Sequence, residues 1–285
     1  MSRLGLAVHR FRPDALEVAG RVIGWASANG YQIVADESDI ASLRSDEVTS
    51  GDVGDVDVLV SIGGDGTMLR SVHVLNGRVV PLIGVNLGQL GYLAVVEVDE
   101  VIEALDIWHN GKEGTEYHYD DRMLLEVSMW AKGARLTNHL AMNEVVIEKS
   151  EAGHTVRLGV DIDKASFTTY AADGLILATP TGSTAYSMSA RGPILSPRLR
   201  AILMTPVSPH MLFDRSMVLD PQELIRIEIL GHRSVNVATD GELVHTLRPG
   251  DVVEVRAAQE VARFVRFKEQ RFHQTLKSKF GLSDR

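Results

Sequence analysis

The chain has 285 residues, 45% of them apolar and 24% charged, with 29 Lys and Arg against 38 Asp and Glu, a formal net charge of −9. This is the composition of an ordinary soluble globular protein, and at roughly 150 residues per domain the length predicts one large or two medium domains. Cysteine is absent, which excludes disulfides, thiolate zinc sites, iron–sulfur clusters and cysteine nucleophiles and fits a reducing, cytoplasmic setting; the acidic balance argues against nucleic acid or a membrane surface as partner.

The first segment reads as strands alternating with helices. Leu4 to Val8 is a short apolar strand, and Pro13 to Ala28 carries apolar residues near helical spacing, with Pro13 suited to the first turn and Gly30 to the stop. Tyr31 to Ala35 is a second strand. Residues 36–57 hold eight acids and one Arg among Ser and Gly and read as a solvated connection. Val56 to Ile62 is a buried-type strand that runs into Gly63-Gly64-Asp65-Gly66-Thr67, followed by a helix over Met68–Leu75, a strand over Val79–Val85 and a helix over Asp99–Trp108. The uncharged run Val79–Val96 contains Pro81, Asn86, Gln89 and three glycines, so it predicts strand and loop rather than a membrane span, and Met1–Arg10 lacks the apolar stretch of a signal peptide. Strands alternating with helices predict a Rossmann-like α/β domain with a parallel sheet.

Near residue 117 the pattern changes. Met123–Met129, Glu144–Ile147, Val156–Ile162, Ile176–Ala178, Ile225–Ile229, Val235–Ala238 and Asp251–Val255 are short β-type runs divided by turn signals, which predicts a mainly antiparallel β domain. Phe272, Leu276 and Phe280 recur at helical spacing within a tail helix over Phe267–Phe280. Charge is uneven: residues 1–116 carry net −10 and residues 256–285 net +5. The expected division is an α/β domain over 1–116 completed by 260–285, and a β-rich domain over 117–259; the tail is expected to pack on the acidic first domain.

Three stretches combine glycine or hydroxyl groups with chemistry-bearing side chains. At Gly63–Thr67, a strand-to-helix junction, glycines let a ligand approach the backbone and the helix start favours an anion. A carboxylate there would repel phosphate, so Asp65 makes sense as a base or orienter of a hydroxyl, or as a metal donor; the alternative is a plain Asp-Gly turn. Asn86-Leu87-Gly88-Gln89-Leu90-Gly91-Tyr92-Leu93 follows a strand, where open α/β sheets bind ligands, or is simply a glycine-bearing connection. Asp173 through Ser189 runs from a strand through Pro180-Thr181-Gly182 into a hydroxyl-rich stretch suited to a sugar or polar ring, with Tyr186 as a stacking face; a capped turn is the alternative. Asn143-Glu144 precedes a strand, Asp240-Gly241 reads as a hairpin turn, and the ten histidines show no paired metal spacing. Neither a Walker loop nor a G-x-G-x-x-G fingerprint occurs, which removes ordinary P-loop NTPases and standard Rossmann dehydrogenases.

In order and approximate spacing, Gly63–Thr67, Asn86–Leu93, Asn143–Val146, Asp173–Ser189, Thr205–His210 and Asp240-Gly241 resemble the NAD kinase family, over about residues 56–280. The Gly-Gly-Asp-Gly-Thr turn is shared with diacylglycerol- and sphingosine-type lipid kinases; the run Asp173–Ser189 is the more specific feature. The resemblance implies an α/β N-terminal domain, a β-sandwich-like C-terminal domain with the dinucleotide at their junction, and transfer of a phosphoryl group from ATP, or another donor such as polyphosphate, to the 2′-hydroxyl of the adenosine ribose of NAD. It also implies a divalent cation, magnesium by default, and a homodimer or homotetramer. By the same carry-over, Asp65 is the base, with Gly66 beside it and Arg70 near phosphate. Asn143 and Glu144 bind the ribose region, Asp173 and Thr181 touch the dinucleotide, and Thr184, Ala185, Tyr186, Ser187, Met188 and Ser189 line the adenosine and nicotinamide contacts, with His154 a further ligand contact. The metal-ligating residues stay unassigned. Ala171, Arg191-Gly192 and Glu242 stand where the family often has a basic residue, two glycines and a glutamine, and Arg191 is expected to restore the charge missing at Ala171. A lipid kinase and a non-catalytic dinucleotide sensor are the competing readings.

Overall fold

A computed structural model describes residues 2–43, 45–88, 91–268 and 272–282. Two compact units are present: Met1–Asp121 with Ala262–Arg285, and Arg122–Val261.

The first unit is built on a parallel sheet. Its strands are β1 (Arg3–Val8), β2 (Gln32–Ala35), β3 (Val48–Ser50), β4 (Val58–Gly63), β5 (Leu82–Asn86) and the short β6 (Val96–Glu97). The spatial order is β3-β2-β1-β4-β5, with β6 beside β5. Both sheet faces are covered, so β4 and β5 are buried at every residue and read as continuous apolar runs. Helix α1 (Pro13–Ala28) starts with Pro13 in its first turn, buries Ala15, Val18, Ala19, Val22, Ile23, Trp25 and Ala26 along one face, and gives way to Gly30 at φ +75°. Helices α2 (Glu37–Leu43), α3 (Asp65–Leu75) and α4 (Val101–Asn110) complete the unit's α/β layers.

Residues 36–57, expected as a solvated connection, contain α2 and β3 instead. Asp36 caps the start of α2 through the amides of Ser38 and Asp39. Asp39, 1% exposed, accepts bonds from the Val8 amide and from Arg10 and Arg70. The acid-rich composition hid a buried carboxylate whose partners lie about thirty residues away on either side.

The second unit contains β7 (His118–Ala131, which begins in the first unit), β8 (Ala134–Ala141), β9 (Glu144–Lys149), β10 (Val156–Ile162), β11 (Ala165–Ala172), β12 (Gly174–Ala178), the single-turn α5 (Tyr186–Ser189), β13 (Ile202–Val207), β14 (Met217–Leu219), β15 (Ile225–Leu230), β16 (Val235–Thr239), β17 (Glu242–Leu247) and β18 (Val252–Arg266, which ends in the first unit). One sheet runs β14-β13-β12-β9-β16-β17; the other runs β11-β10-β15-β18, with β7 pairing β18 and β8. The pairings recorded along these strands are antiparallel. Inward residues of both sheets, among them Leu125, Val145, Ile147, Leu158, Leu175, Leu177, Ile227, Val237 and Val253, form one apolar cluster, so this unit is a β-sandwich. After β18 the chain stays in the first unit, where Phe264 pairs with Leu82 of β5 and Val265 joins the core. The expected tail helix appears as α6 (Phe272–Lys279), with 269–271 outside the described residues.

Candidate active site

In the first unit the candidate chemistry sits at the carboxyl end of β4. Gly63 ends the strand, Gly64 precedes α3 in an extended conformation, and Asp65 is the first residue of the helix. A Cβ at Gly63 would collide with the Thr67 side chain, so only glycine lets the helix start so close to the strand, whereas Gly64 and Gly66 have open space beside them. The turn therefore offers uncovered backbone at a helix N-terminus, the setting that accommodates phosphate.

Asp65 is held from both sides of its carboxylate. The Tyr92 amide donates to Oδ2 at 2.9 Å, and the Leu93 and Ala94 amides donate to Oδ1 at 3.1 and 3.4 Å. Gly91 makes the approach possible, because a Cβ there would overlap the Asp65 carboxylate. The second glycine of the Asn86–Leu93 motif thus has a specific task, while Gln89 and Leu90 lie outside the described residues. Two carboxylate oxygens provide about four lone-pair sites; three amides leave room for one further proton donor. Arg70, expected near phosphate, points elsewhere: its guanidinium donates to Asp39 Oδ1 at 2.8 Å and to the Val8 carbonyl at 2.7 Å.

In the second unit the hydroxyl-rich run wraps the start of β9. Thr179 donates from its amide to the Asn143 carbonyl and from Oγ1 to the Met142 carbonyl at 2.6 Å, and accepts from the Gly182 amide. A Cβ at Gly182 would overlap the Asn143 carbonyl, so the Pro-Thr-Gly turn and Asn143 are in direct backbone contact. Ser183 and Ser187 are fully buried and spend their hydroxyls internally, on Pro180 and Leu195 and on Thr205. Thr181 is buried and accepts from Arg122. Thr184, Ala185 and Met188 are half-buried, while Tyr186 and Ser189 are exposed.

Glu144 is 5% exposed with Oε2 unpartnered. Burial, then the negative Asp240, push its carboxyl up to about 7, against the opposing pull of the Tyr186 amide. Asp173, partly exposed, pairs with Lys149 at 2.6 Å, which lies across the β9–β12 ladder. Lys149 thus supplies a cation beside Asp173, while Arg191 is exposed at φ +67°. His154 is exposed in the turn between β9 and β10.

Sequence reasoning missed the work done by Asp240. It sits with Gly241 in the two-residue turn of the β16–β17 hairpin, both at positive φ, as the spacing predicts. Its carboxylate also accepts the amides of Met142, Asn143 and Glu144 at 2.7, 2.6 and 3.0 Å. No local signal announces these partners, which lie almost a hundred residues earlier.

Among the described residues no group of three or more His, Asp or Glu side chains is placed to hold a metal ion, and no helix is long and apolar enough to cross a membrane.

Comparison with known proteins gives the family. Residues 4–112 match the model of the ATP-NAD kinase N-terminal domain and residues 142–267 that of the ATP-NAD kinase C-terminal domain. The NAD kinase of Syntrophotalea carbinolica is 36% identical over 289 residues, covering 100% of both chains, and that of Heliobacterium modesticaldum is 36% identical over 98% of both. The crystal structure of yeast NADH kinase complexed with NADH superimposes with a TM-score of 0.90 at 27% identity, covering 100% of this chain and 89% of that one. An Archaeoglobus fulgidus NAD kinase in complex with ATP shares the fold, at TM-score 0.72 and 21% identity, over 98% of this chain and 97% of that one. With both family models and full-length relatives in agreement, the chain belongs to the NAD kinase family of phosphotransferases.

Proposed function

We propose that the chain transfers the terminal phosphoryl group of ATP to the 2′-hydroxyl of the adenosine ribose of NAD, with Asp65 as the base. The observation that carries the reading is the Asp65 carboxylate, fixed by three amides beside an open glycine turn at a helix N-terminus. The ribose oxygen forms a bond to phosphorus, the bond from phosphorus to the bridging oxygen of the donor breaks, and the hydroxyl proton passes to the remaining acceptor position of Asp65. Phosphoryl transfer demands mainly positioning and charge stabilisation, which a preorganised carboxylate and uncovered amides supply.

Gly66 adjoins the reacting groups through its open backbone. Asn143, Glu144, Asp173, Thr181, Thr184, Ala185, Tyr186, Met188 and Ser189 contact the dinucleotide, with Tyr186 as the stacking face. The buried hydroxyl of Ser187 holds the run in shape, Arg70 anchors α3 to β1 through Asp39, and His154 is a peripheral contact. A divalent cation, taken as magnesium, fits if the donor phosphates and water supply its ligands, since no protein cage is built among the described residues. Such an ion would neutralise phosphate charge. Family membership further supports a homodimer or homotetramer, a cytoplasmic location and a division at about residues 116 and 260.

The test is Asp65→Asn assayed with NAD, ATP and magnesium. NADP formation should fall about 100- to 10,000-fold, the range of a lost general base, while NAD binding measured by calorimetry stays within a few-fold. Turnover near that of the unmodified protein would refute the base role. Polyphosphate in place of ATP, and NADH in place of NAD, define the donor and acceptor in the same assay.

A further inference from the structure

We infer that Arg266 is a positioning residue for Asp65, acting through the peptide group that joins Leu93 to Ala94; the inference rests on the reading of Asp65 as the base. Arg266 lies at the end of β18, 3% exposed. Its Nη1 donates to the Leu93 carbonyl at 2.8 Å and its Nε to Asp120 Oδ2 at 3.1 Å, and its guanidinium lies 5.1 Å from the centre of the Phe264 ring. The carbonyl it grips and the Ala94 amide belong to one peptide group, and that amide donates to Asp65 Oδ1. The preceding amide, of Leu93, donates to the same oxygen. One planar unit therefore carries a cationic donor on its oxygen and the Asp65 carboxylate on its nitrogen.

Two physical consequences follow. A peptide plane held at both ends cannot rotate about its flanking bonds without breaking a charge-assisted bond, so the rotamer of Asp65 is fixed by a residue two hundred positions away in sequence. A charged donor on the carbonyl also polarises the peptide and strengthens its N–H as a donor, as in any hydrogen-bonded chain in a poorly hydrated interior. The same loop is held at its other end. The Tyr92 amide donates to Asp65 Oδ2, and the Tyr92 ring packs against Phe272 with its centre 6.1 Å away and lies 4.5 Å from Lys279 Nζ. Residues from the C-terminal segment thus grip both sides of the loop that grips Asp65, and Arg266 has the most direct connection.

The experiment compares Arg266→Met, Arg266→Lys and Asp120→Asn in the full-length protein, each alone, and combines Arg266→Met with Asp65→Asn. Arg266→Met should lower kcat about 10- to 100-fold, the loss expected from misplacing a reacting group by about an ångström, with KM for NAD and ATP within about threefold. Arg266→Lys, which keeps the charge, should recover part of the loss. Asp120→Asn leaves the Leu93 contact in place and should retain kcat within about threefold. In the Asp65→Asn background the Arg266→Met change should produce no further fall. A kcat within twofold of the unmodified protein in Arg266→Met, an equal fall in Asp120→Asn, or an undiminished further fall in the Asp65→Asn background would each overturn the inference. If Arg266→Met does not fold, the kcat of Arg266→Lys decides: a fall with unchanged KM supports the inference, and unaltered kcat overturns it. Full turnover by Asp65→Asn alone would instead overturn the base reading, so the two failures are read from different proteins.

Discussion

Asp65 and Glu144 are carboxyl groups with opposite surroundings. Asp65 accepts three amide bonds; Glu144 is buried beside another carboxylate with one oxygen unpartnered. Because burial holds the Glu144 carboxyl protonated up to about pH 7, its linkage to stability has a definite sign. Below about pH 4.5 the group is protonated in both states and imposes no penalty. Between about 4.5 and 7 the unfolded chain releases the proton while the folded protein keeps it, so stability falls as pH rises and the loss is complete above about 7. A shift of that size corresponds to a penalty of up to about 3 kcal/mol at neutral pH. Glu144→Gln removes the titrating group and keeps the shape. It should therefore be more stable than the unmodified protein at pH 8 and lose less stability between pH 5 and pH 8, as urea unfolding at the two pH values will show. Equal slopes for the two proteins would contradict the argument. Both residues were identifiable in the sequence, one by its glycine turn and one by its place before a strand. Their contrasting environments were not, because they depend on amides and a carboxylate brought in from distant segments.

Among the elements, the short turns hold the candidate-site segments in place. The two-residue Asp240-Gly241 turn was legible, since Asp-Gly between two apolar runs marks a tight hairpin. Its second task, clamping three successive amides at the start of β9, was not, because hairpin chemistry is local and strand order is not. The same limit explains why β8, β11 and β14 escaped the pattern: the outer residues of β8 and β11 are exposed, and β14 has only three residues, so alternation is weak there. It explains β3, which also has only three residues, and α2, whose acids resemble solvent-facing residues until Arg10 and Arg70 are placed beside Asp39. Asp240→Ala should expose the cost of losing the clamp. It strips three amides of their acceptor and puts a side chain without a local hydrogen bond at φ +48°, which together cost on the order of 3 kcal/mol. Because Asn143 and Glu144 lie on the clamped backbone, KM for NAD should rise with the loss of stability. Asp240→Asn, which tolerates the same backbone conformation and keeps one acceptor oxygen, should lie between the two. Unfolding midpoints and KM values across the three proteins check this, and an Ala variant with both unchanged would show that the clamp is dispensable.

At the scale of the whole molecule the fold class was readable, because strand–helix alternation in the first hundred residues and short β runs after them are strong, repeated signals. The charge asymmetry was readable too, but it leaves open what holds the basic C-terminal segment in the first unit. Charge does contribute contacts there: Arg263 pairs with Asp121 and Lys268 with Glu100. Those two pairs are solvent-exposed or nearly so, and exposed pairs are weak and screened by salt, whereas the pair of Arg266 with Asp120 is largely buried and its attraction is set against desolvation. Phe264 and Val265, by contrast, are 0% and 1% exposed, and Phe264 lies in register with Leu82 at the edge of the parallel sheet. Apolar burial should therefore dominate. Phe264→Ala should destabilise the first unit by about 3–5 kcal/mol, moving its urea midpoint markedly when unfolding is followed by fluorescence of Trp25 and Trp108, which both belong to that unit. Lys268→Ala should leave the midpoint where it was, and so should raising sodium chloride to about 0.5 M, where the screening length is only a few ångströms. If salt or Lys268→Ala moved the midpoint as far as Phe264→Ala, the basic segment would be an electrostatic attachment and its charge, rather than the burial of Phe264 and Val265, would be the feature that completes the fold.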